Sequence, residues 1–271
     1  MTWTPAGQVN LNLEGEASGA FGSMGEVPGS FKTQAVVLRS IRYGEADRVL
    51  HLYTQARGRI GAIAKGSRKP RSRFGGRLEP FFRLDMVLHE GRGDLATVTG
   101  VHTVDAYPNL RSSGPGLSAA ARGCDAVLRL LDSAEANPAA YNLLCRYLAL
   151  LDGQEDDGVE TDGAAGLATA LAFRLKLALS AGFAPELTAC SRCGEVDGLT
   201  AFSGAAGGVV CGACERDGFE ISAEAHRFML DSLGRPLAQA PVATNGALRM
   251  AERAITTTLE HHAHVQLRAA A

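Results

Sequence analysis

Two pairs of closely spaced cysteines constrain the fold of this chain more than any other feature of its 271-residue sequence. Cys190 and Cys193 form the first CxxC pair, and Cys211 and Cys214 form the second, with seventeen residues between them. Two residues between cysteines place both thiolates on one turn around a metal, and two such turns complete a tetrahedron of soft ligands that suits zinc. The spacing therefore predicts one bound Zn²⁺, and the chain between the pairs must fold back on itself.

All four positions of this predicted site are filled by protein, which leaves no open position where a metal could activate water. We therefore expect a structural zinc that holds a zinc ribbon at residues 189–219. Residues 199–202 and 208–210 have the strand and turn content of such a ribbon. The other two cysteines, Cys124 and Cys145, lie on apolar helical stripes, and this position indicates core residues.

The hydrophobic period changes near residue 108 and divides the rest of the chain into two structural classes. Before this point, apolar and β-branched residues run or alternate in short segments, which is typical of strands. The five predicted strands are 33–42, 48–53, 59–65, 80–89 and 95–106. So few short strands favour a small closed barrel, which removes exposed edges, over a sandwich. We predict an OB-fold barrel over residues 31–108.

Beyond a turn-rich linker at 108–115, apolar residues recur at intervals of three and four, the period of amphipathic helices. The predicted helices are 117–131, one capped by Asn137, one at about 164–181, one capped by Ser222 and one capped by Asn245. We expect residues 109–188 and 220–268 to form one helical bundle. The whole chain is thus predicted to be a multi-domain α+β protein, an N-terminal OB-fold β-barrel followed by an all-α helical bundle with an inserted four-cysteine zinc ribbon.

Positive charge is concentrated in the predicted barrel. The chain has a formal net charge of −2, yet residues 31–83 hold thirteen basic and three acidic residues. Clustered positive charge concentrates phosphate by direct pairing and by release of condensed counterions. A short charged run alone is usually a solvated loop, but this density, interleaved with phenylalanines, predicts a surface that binds nucleic acid.

The expected DNA contacts are cations of this region and one aromatic ring. We predict backbone contacts at Arg39, Arg42, Lys65, Arg68, Lys69, Arg71, Arg73, Arg77 and Arg83. Phe74 lies among them and is the predicted stacking ring, because every base offers a π-face to an aromatic side chain. Phe81 begins a predicted strand, so we expect it in the core.

The N-terminal segment differs in composition from the rest. Residues 1–30 contain three acidic residues, no Lys or Arg and no apolar core segment. We expect a flexible, acidic, glycine-rich tail that is neither a secretory leader nor a transit peptide. No run in the sequence approaches the roughly twenty apolar residues of a membrane helix, which indicates a soluble, cytoplasmic protein. The acidic segment 152–162 is expected to be a solvated loop.

Motifs of catalysis are not found. The sequence contains no GxxxxGK[ST] phosphate loop, no GxSxG elbow and no HExxH pair. Asp85, Glu90 and Asp94 lie on or beside predicted strands, but their spacing matches no two-metal nuclease. These observations favour a binding protein over an enzyme. Two alternatives stay open: a zinc-ribbon enzyme that acts on nucleic acid through unidentified carboxylates, and a scaffold whose helical bundle docks other proteins.

The order of these parts resembles the RecO family of bacterial DNA repair proteins. The basic segment contains SRFGGRLEPF at 72–81, which is followed by GRGDL at 91–95, the helical region, the paired CxxC motifs and LEHH at 259–262. The likeness covers about residues 31 to 267. Many family members have lost some of the four cysteines, whereas this chain keeps all of them, so the resemblance supports the zinc prediction.

The resemblance implies a recombination mediator without turnover chemistry that acts in the bacterial cytoplasm at the nucleoid. RecO proteins bind single- and double-stranded DNA, anneal complementary strands, partner RecR, contact the single-stranded-DNA-binding protein SSB, and help to load RecA. The charge cluster supplies a physical mechanism for annealing, because one strongly positive face can hold two phosphate backbones that repel each other.

Overall fold

The structure, a computed structural model, describes residues 29–91, 93–153 and 163–270. The expected tail at 1–30 and the acidic segment at 152–162 lie almost wholly outside these described residues. Five strands open the described chain: β1 (Ser30–Tyr43), β2 (Asp47–Thr54), β3 (Gly58–Ala64), β4 (Arg83–His89) and β5 (Ala96–Asp105). These strands correspond to the five predicted segments.

The five strands close into a barrel in the order β1-β2-β3-β5-β4. The β3–β5 pair is parallel and the other pairs are antiparallel. A register shift between Val37 and Arg39 bends β1, so that its first half pairs with β4 and its second half with β2. This order is that of an OB-fold, and the predicted fold class is confirmed.

The barrel interior is filled by alternate strand residues and by two residues of the β3–β4 loop. The strands contribute Ala35, Val37, Leu50, Leu52, Ala62, Ala64, Leu84, Met86, Leu88, Ala96 and Val98. From the loop, Phe74 and Leu78 insert among them, and each is only 2% exposed. The loop thus takes part in the barrel core and does not only connect two strands.

Six helices follow: α1 (Pro108–Ser112), α2 (Gly114–Leu130), α3 (Pro138–Asp152), α4 (Gly163–Ser180), α5 (Ala223–Gly234) and α6 (Asn245–His262). Asn137 and Ser222 cap α3 and α5 as predicted, since their side chains accept hydrogen bonds from the Ala140 and Ala225 amides at 3.0 and 3.1 Å. The linker prediction missed α1. Within the described ranges, no helix combines the length and the hydropathy needed to cross a membrane.

The predicted cap of α6 is wrong by one residue. Thr244 and not Asn245 caps this helix, because the Thr244 hydroxyl accepts a hydrogen bond from the Ala247 amide at 3.3 Å. Glu224 of α5 fixes Thr244 in this position by accepting from its amide at 2.8 Å and from its hydroxyl at 2.7 Å. Both residue types can cap a helix, so only the tertiary contact decides between them.

The barrel and the helices share one hydrophobic core. The barrel residues Val36, Leu38, Tyr53 and Phe81 point out of the barrel into the cluster that the helices form. Cys124 and Cys145 are buried in the same cluster, which confirms the prediction that both are core residues. The division of the chain into domains at residue 108 stays a prediction.

The predicted ribbon lies between α4 and α5. Its strands β6 (Leu199–Ser203), β7 (Gly208–Cys211) and β8 (Phe219–Glu220) form a sheet in the order β7-β6-β8. Phe202 and Val209 pack into the main core, whereas Ala201 and Val210 pack with two of the cysteines in a small separate cluster. The ribbon therefore has one face on the helices and one on the cysteine cluster.

Gly58, at the start of β3, marks a close approach of the barrel backbone to the connection between α2 and α3. Its φ is +58°, and a Cβ added there would lie 2.2 Å from the carbonyl oxygen of Glu135. We expect Gly58→Ala to lower the free energy of unfolding by about 3 kcal/mol, because left-handed strain adds to a clash with backbone atoms. Urea denaturation measures this loss.

Gly44→Ala is the matched control for this prediction. Gly44 has a similar φ of +52°, but an added Cβ would meet no atom within 4 Å. Only the left-handed strain should remain, and it costs about 1 kcal/mol. Equal losses in the two variants would show that Gly58 is needed for its backbone conformation alone.

Candidate nucleic-acid interface and metal centre

Residues 65–82, between β3 and β4, form a loop that we call the basic loop. Buried Phe74 and Leu78 anchor it in the barrel. At its start, the Gly66 amide donates to Asp47 Oδ1 at 2.7 Å and the Arg68 amide donates to the Ala46 carbonyl at 2.9 Å. These contacts hold the basic loop beside the turn that joins β1 to β2.

Seven of the nine predicted contact cations have exposed side chains on the basic loop or on the strand ends beside it. They are Arg42, Lys65, Arg68, Lys69, Arg71, Arg73 and Arg77. Among the residues that the structure describes, no carboxylate lies within ion-pair distance of any of the seven. Their charge is therefore free to attract a polyanion.

Arg39 lies three residues before Arg42 on β1, where the barrel meets α2. Its Nη2 lies 3.4 Å from Oδ1 of Asp125, and the side chain is 49% exposed. Neighbouring His51 faces Arg39 and Arg59, and burial together with these two cations lowers the pKa of its imidazole. The lowered pKa favours the neutral imidazole, so protonation of His51 is disfavoured on this part of the surface.

Arg83 does not lie with the other predicted contacts. It is half-buried at the start of β4, where the barrel packs on α3, and it faces Tyr141 and Cys145. Its Nη2 donates to Gln34 Oε1 at 2.8 Å. Arg83 therefore does not lie on the predicted DNA surface, because the first residue of β4 lies at the contact between the barrel and the helices.

The prediction that Phe74 stacks on bases is wrong. Its ring is buried in the barrel interior, and the Arg73 guanidinium lies 4.9 Å from the ring centroid. Although Phe74 is surrounded by charged residues in the sequence, its ring fills an open end of the barrel. Burial there removes the apolar surface of the ring from water. Phe81 is 8% exposed and belongs to the core, as predicted.

An exposed ring does lie beside the basic loop, and it is not among the residues predicted from the sequence. Tyr43 ends β1 and is 58% exposed. The sequence indicates the exposure of Tyr43 only weakly, because the exposure depends on where β1 ends and on which face of the strand the residue lies. Only the observed register gives both.

The four predicted metal ligands lie together. Their Sγ atoms are all within 4.8 Å of one another, and those of Cys193 and Cys211 are 3.7 Å apart. Tetrahedral coordination with metal–sulfur bonds of about 2.3 Å requires sulfur–sulfur distances of about 3.8 Å. All six cysteines of the chain are free of disulfides. The four could therefore hold one metal ion.

Backbone hydrogen bonds shape the two turns that carry these thiols. In the first turn, the Gly194 amide donates to the Cys190 carbonyl at 2.8 Å, and Gly194 has a φ of +79°. In the second, the Cys214 amide donates to the Cys211 carbonyl at 2.9 Å. The Cys211 amide also donates to Cys190 Sγ at 3.4 Å, and this contact together with the Cys193 and Arg192 amides lowers the pKa of the Cys190 thiol to about 6, whereas contacts with the neighbouring thiols raise the pKa of Cys193 and Cys214. A low pKa favours the thiolate, which is the form that binds metal.

The surface around the cysteines is acidic, in contrast to the basic loop. Between residues 190 and 220 the cations are Arg192 and Arg216, and the carboxylates are Glu195, Asp197, Glu215, Asp217 and Glu220. All of these side chains are exposed. The ribbon surface is therefore unfavourable for a polyanion.

Comparisons with known proteins found matches to both the barrel and the helical part. Residues 28–107 match the family model described as "Recombination protein O N terminal", and residues 111–270 match "Recombination protein O C terminal". A DNA repair protein RecO from Rubrobacter xylanophilus is 39% identical over 235 residues, which are 86% of this chain and 90% of the relative.

Two further relatives carry the same description. The protein from Geobacter sulfurreducens is 35% identical over 207 residues, 75% of this chain and 80% of the relative. The protein from Anaeromyxobacter dehalogenans is 33% identical over 239 residues, 85% of this chain and 91% of the relative. The resemblance found in the sequence motifs is confirmed, and this chain belongs to the RecO family of DNA repair proteins.

Proposed function

We propose that this protein binds single- and double-stranded DNA through the cations of the basic loop and anneals complementary strands. The observation that carries the proposal is the set of seven exposed cations without carboxylate partners in the described part of the chain. Each phosphate contact releases condensed counterions, and this release drives binding whatever the base sequence.

Annealing follows from the same contacts. Two single strands repel each other through their phosphates, and a surface that neutralises both backbones lowers this repulsion. Contacts to phosphate position a strand without engaging its base edges, so the bases stay available for pairing. The acidic ribbon supports this arrangement, since it disfavours DNA on that side of the molecule.

The wider role that we propose is that of a recombination mediator. With RecR, the protein would help to load RecA onto DNA coated by SSB, in the bacterial cytoplasm at the nucleoid. Family membership supports this role. We assign no turnover reaction to the protein, because DNA binding by exposed cations accounts for annealing without a catalytic group.

We propose further that the four cysteines hold a single structural zinc. Four thiolates are a soft donor set in tetrahedral arrangement, which suits zinc. Because the protein supplies all four ligands, the metal would have no open position for a substrate. Its contribution is to stability, and structural zinc sites bind with about 10 kcal/mol or more.

An annealing assay tests the proposed function. Two complementary oligonucleotides carry a donor and an acceptor fluorophore, and they are mixed without ATP, with and without Mg²⁺. We expect the protein to accelerate annealing while both strands stay intact on a denaturing gel. Strand cleavage that requires Mg²⁺ would favour a nuclease instead, and an unchanged annealing rate would contradict the proposal.

A further inference from the structure

The outer face of β1, β2 and β3 carries a strip of apolar side chains next to the basic loop. Ile41 pairs with Val49, and Val49 pairs with Ile63. Residues directly opposite each other on antiparallel strands point to the same side of the sheet. Because the adjacent Leu50 points into the barrel, these three side chains point out of it. Tyr43 lies two residues beyond Ile41 and therefore extends the same strip.

The exposed end of this strip is the end near the basic loop. The helices reach the outer face only as far as Arg39, which meets Asp125, and Arg59, whose Nη1 donates to the Leu128 carbonyl at 2.9 Å. Beyond them Ile41 is 42% exposed and Tyr43 is 58% exposed. Within the described residues, the Tyr43 ring has no hydrogen bond and no ring contact. The fold thus leaves a large aromatic surface in water.

Cations lie near this ring. Lys65 follows the end of β3, while Arg42, the residue before Tyr43, lies on the opposite face of β1 and is exposed. The Arg68 Nη1 donates to the Gly44 carbonyl at 3.2 Å, so the basic loop is tied to the residue next to Tyr43. Of the two nearby acids, Asp47 accepts from the Gly66 amide, and Glu45 is exposed in the turn. The segments 42–47 and 65–69 hold four cations against these two acids, so the net charge near the ring is positive.

We propose that a DNA base stacks on Tyr43, with Ile41 beside it, and that this contact makes the protein bind a single strand more tightly than it would through phosphate contacts alone. The inference rests on the proposed function, in which the surrounding cations hold phosphates. Phosphate contacts hardly distinguish the two forms, whereas only an unpaired strand can turn a base outward onto a ring. The cations favour this occupant over an apolar segment of another protein.

Affinity measurements on two variants test the proposal. Fluorescence anisotropy is recorded with a labelled single strand, the matching duplex, and a single strand made of abasic sites. Tyr43→Ala is expected to weaken binding of the normal single strand by about 5- to 150-fold, the range for loss of one base–aromatic stack. Binding of the duplex and of the abasic strand should stay close to wild type. Tyr43→Phe keeps the ring and should bind every strand like wild type.

A second variant measures the contact directly. The chain has one tryptophan, Trp3, so Trp3→Phe combined with Tyr43→Trp places the only indole at position 43. Its fluorescence should be quenched by the normal single strand and much less by the abasic strand. This readout does not depend on a change in affinity.

The outcomes separate this inference from the function on which it rests. Wild-type affinity of Tyr43→Ala for the single strand, with an unquenched indole, would overturn the stacking role and leave DNA binding by the basic loop intact. Equal weakening on all three strands would also overturn it, because the loss would then not depend on an unpaired base. Failure of the wild-type protein to bind any strand would instead remove the proposed function.

Discussion

Reversing three charges of the basic loop together, by Lys69→Glu, Arg71→Glu and Arg73→Glu, is expected to lower the single-strand binding constant by at least about 100-fold at 0.1 M salt. Each phosphate contact adds about 0.7 to the steepness of the slope of log K against log salt. Three lost contacts therefore remove about two powers of ten from the gain in binding constant that the protein shows when the salt concentration falls from 1 M to 0.1 M. None of the three side chains pairs with a carboxylate in the described part of the chain, but Arg73 contacts the Phe74 ring and the Val98 carbonyl, so the urea midpoint of the variant is measured beside its affinity. Anisotropy titration measures the loss, and the annealing rate should fall with it.

A second triple variant controls for the change in net charge. Arg146, Arg227 and Arg249 are exposed on the helices α3, α5 and α6. Replacing all three by Glu alters the net charge by the same amount but leaves the basic loop intact. Near-wild-type binding by this variant is the expected result. Equal losses in the two variants would mean that overall charge and not the basic loop attracts DNA, and unchanged annealing by the loop variant would support the scaffold alternative.

Loss of the proposed zinc is expected to unfold the ribbon while the barrel keeps its affinity for DNA. Cys193→Ser combined with Cys214→Ser removes one thiolate from each turn, and a structural zinc site contributes on the order of 10 kcal/mol. The cluster beside the proposed metal site has Ala201 and Val210 as its buried residues besides two cysteines, with Leu199 and Ala206 partly buried against them, and it is too small to replace that contribution. We expect zinc content to fall from one per chain to none and residues near the cysteines to become sensitive to limited proteolysis.

Cys124→Ala is the control for the zinc prediction. It removes a buried cysteine that lies outside the metal cluster, so zinc content should stay at one per chain. A small loss of stability is expected because a core side chain is truncated. Protection of the ribbon from protease in the zinc-free double variant would contradict a structural role for the metal.

Features that depend on local sequence were predicted correctly. The five strands follow from alternating and β-branched residues, and the caps Asn137 and Ser222 follow from side chains that satisfy free amides at a helix start. The cysteine cluster follows from spacing, because each CxxC pair forms one turn by itself. The pairing of β1 with both β2 and β4 was not predicted. It depends on the bulge between Val37 and Arg39, which bends β1 and allows the barrel to close.

Errors arose where a distant contact determines what a residue does. Phe74 lies in a charged, glycine-rich segment, and only closure of the barrel shows that its ring is needed inside. Arg83 is one cation among nine in the sequence, and its place against α3 depends on how the barrel docks. Tyr43 was missed for the opposite reason: a tyrosine at the end of a strand is commonly buried, and no local pattern shows that the helices stop short of it.

The salt dependence of single-strand binding is the most direct test of the proposed DNA surface. With five to seven of the exposed cations in contact with phosphate, the slope of log K against log salt should lie at about −3.5 to −5 for the wild-type protein, and the loop variant should be less steep by about 2. A wild-type slope near zero would contradict binding through the basic loop.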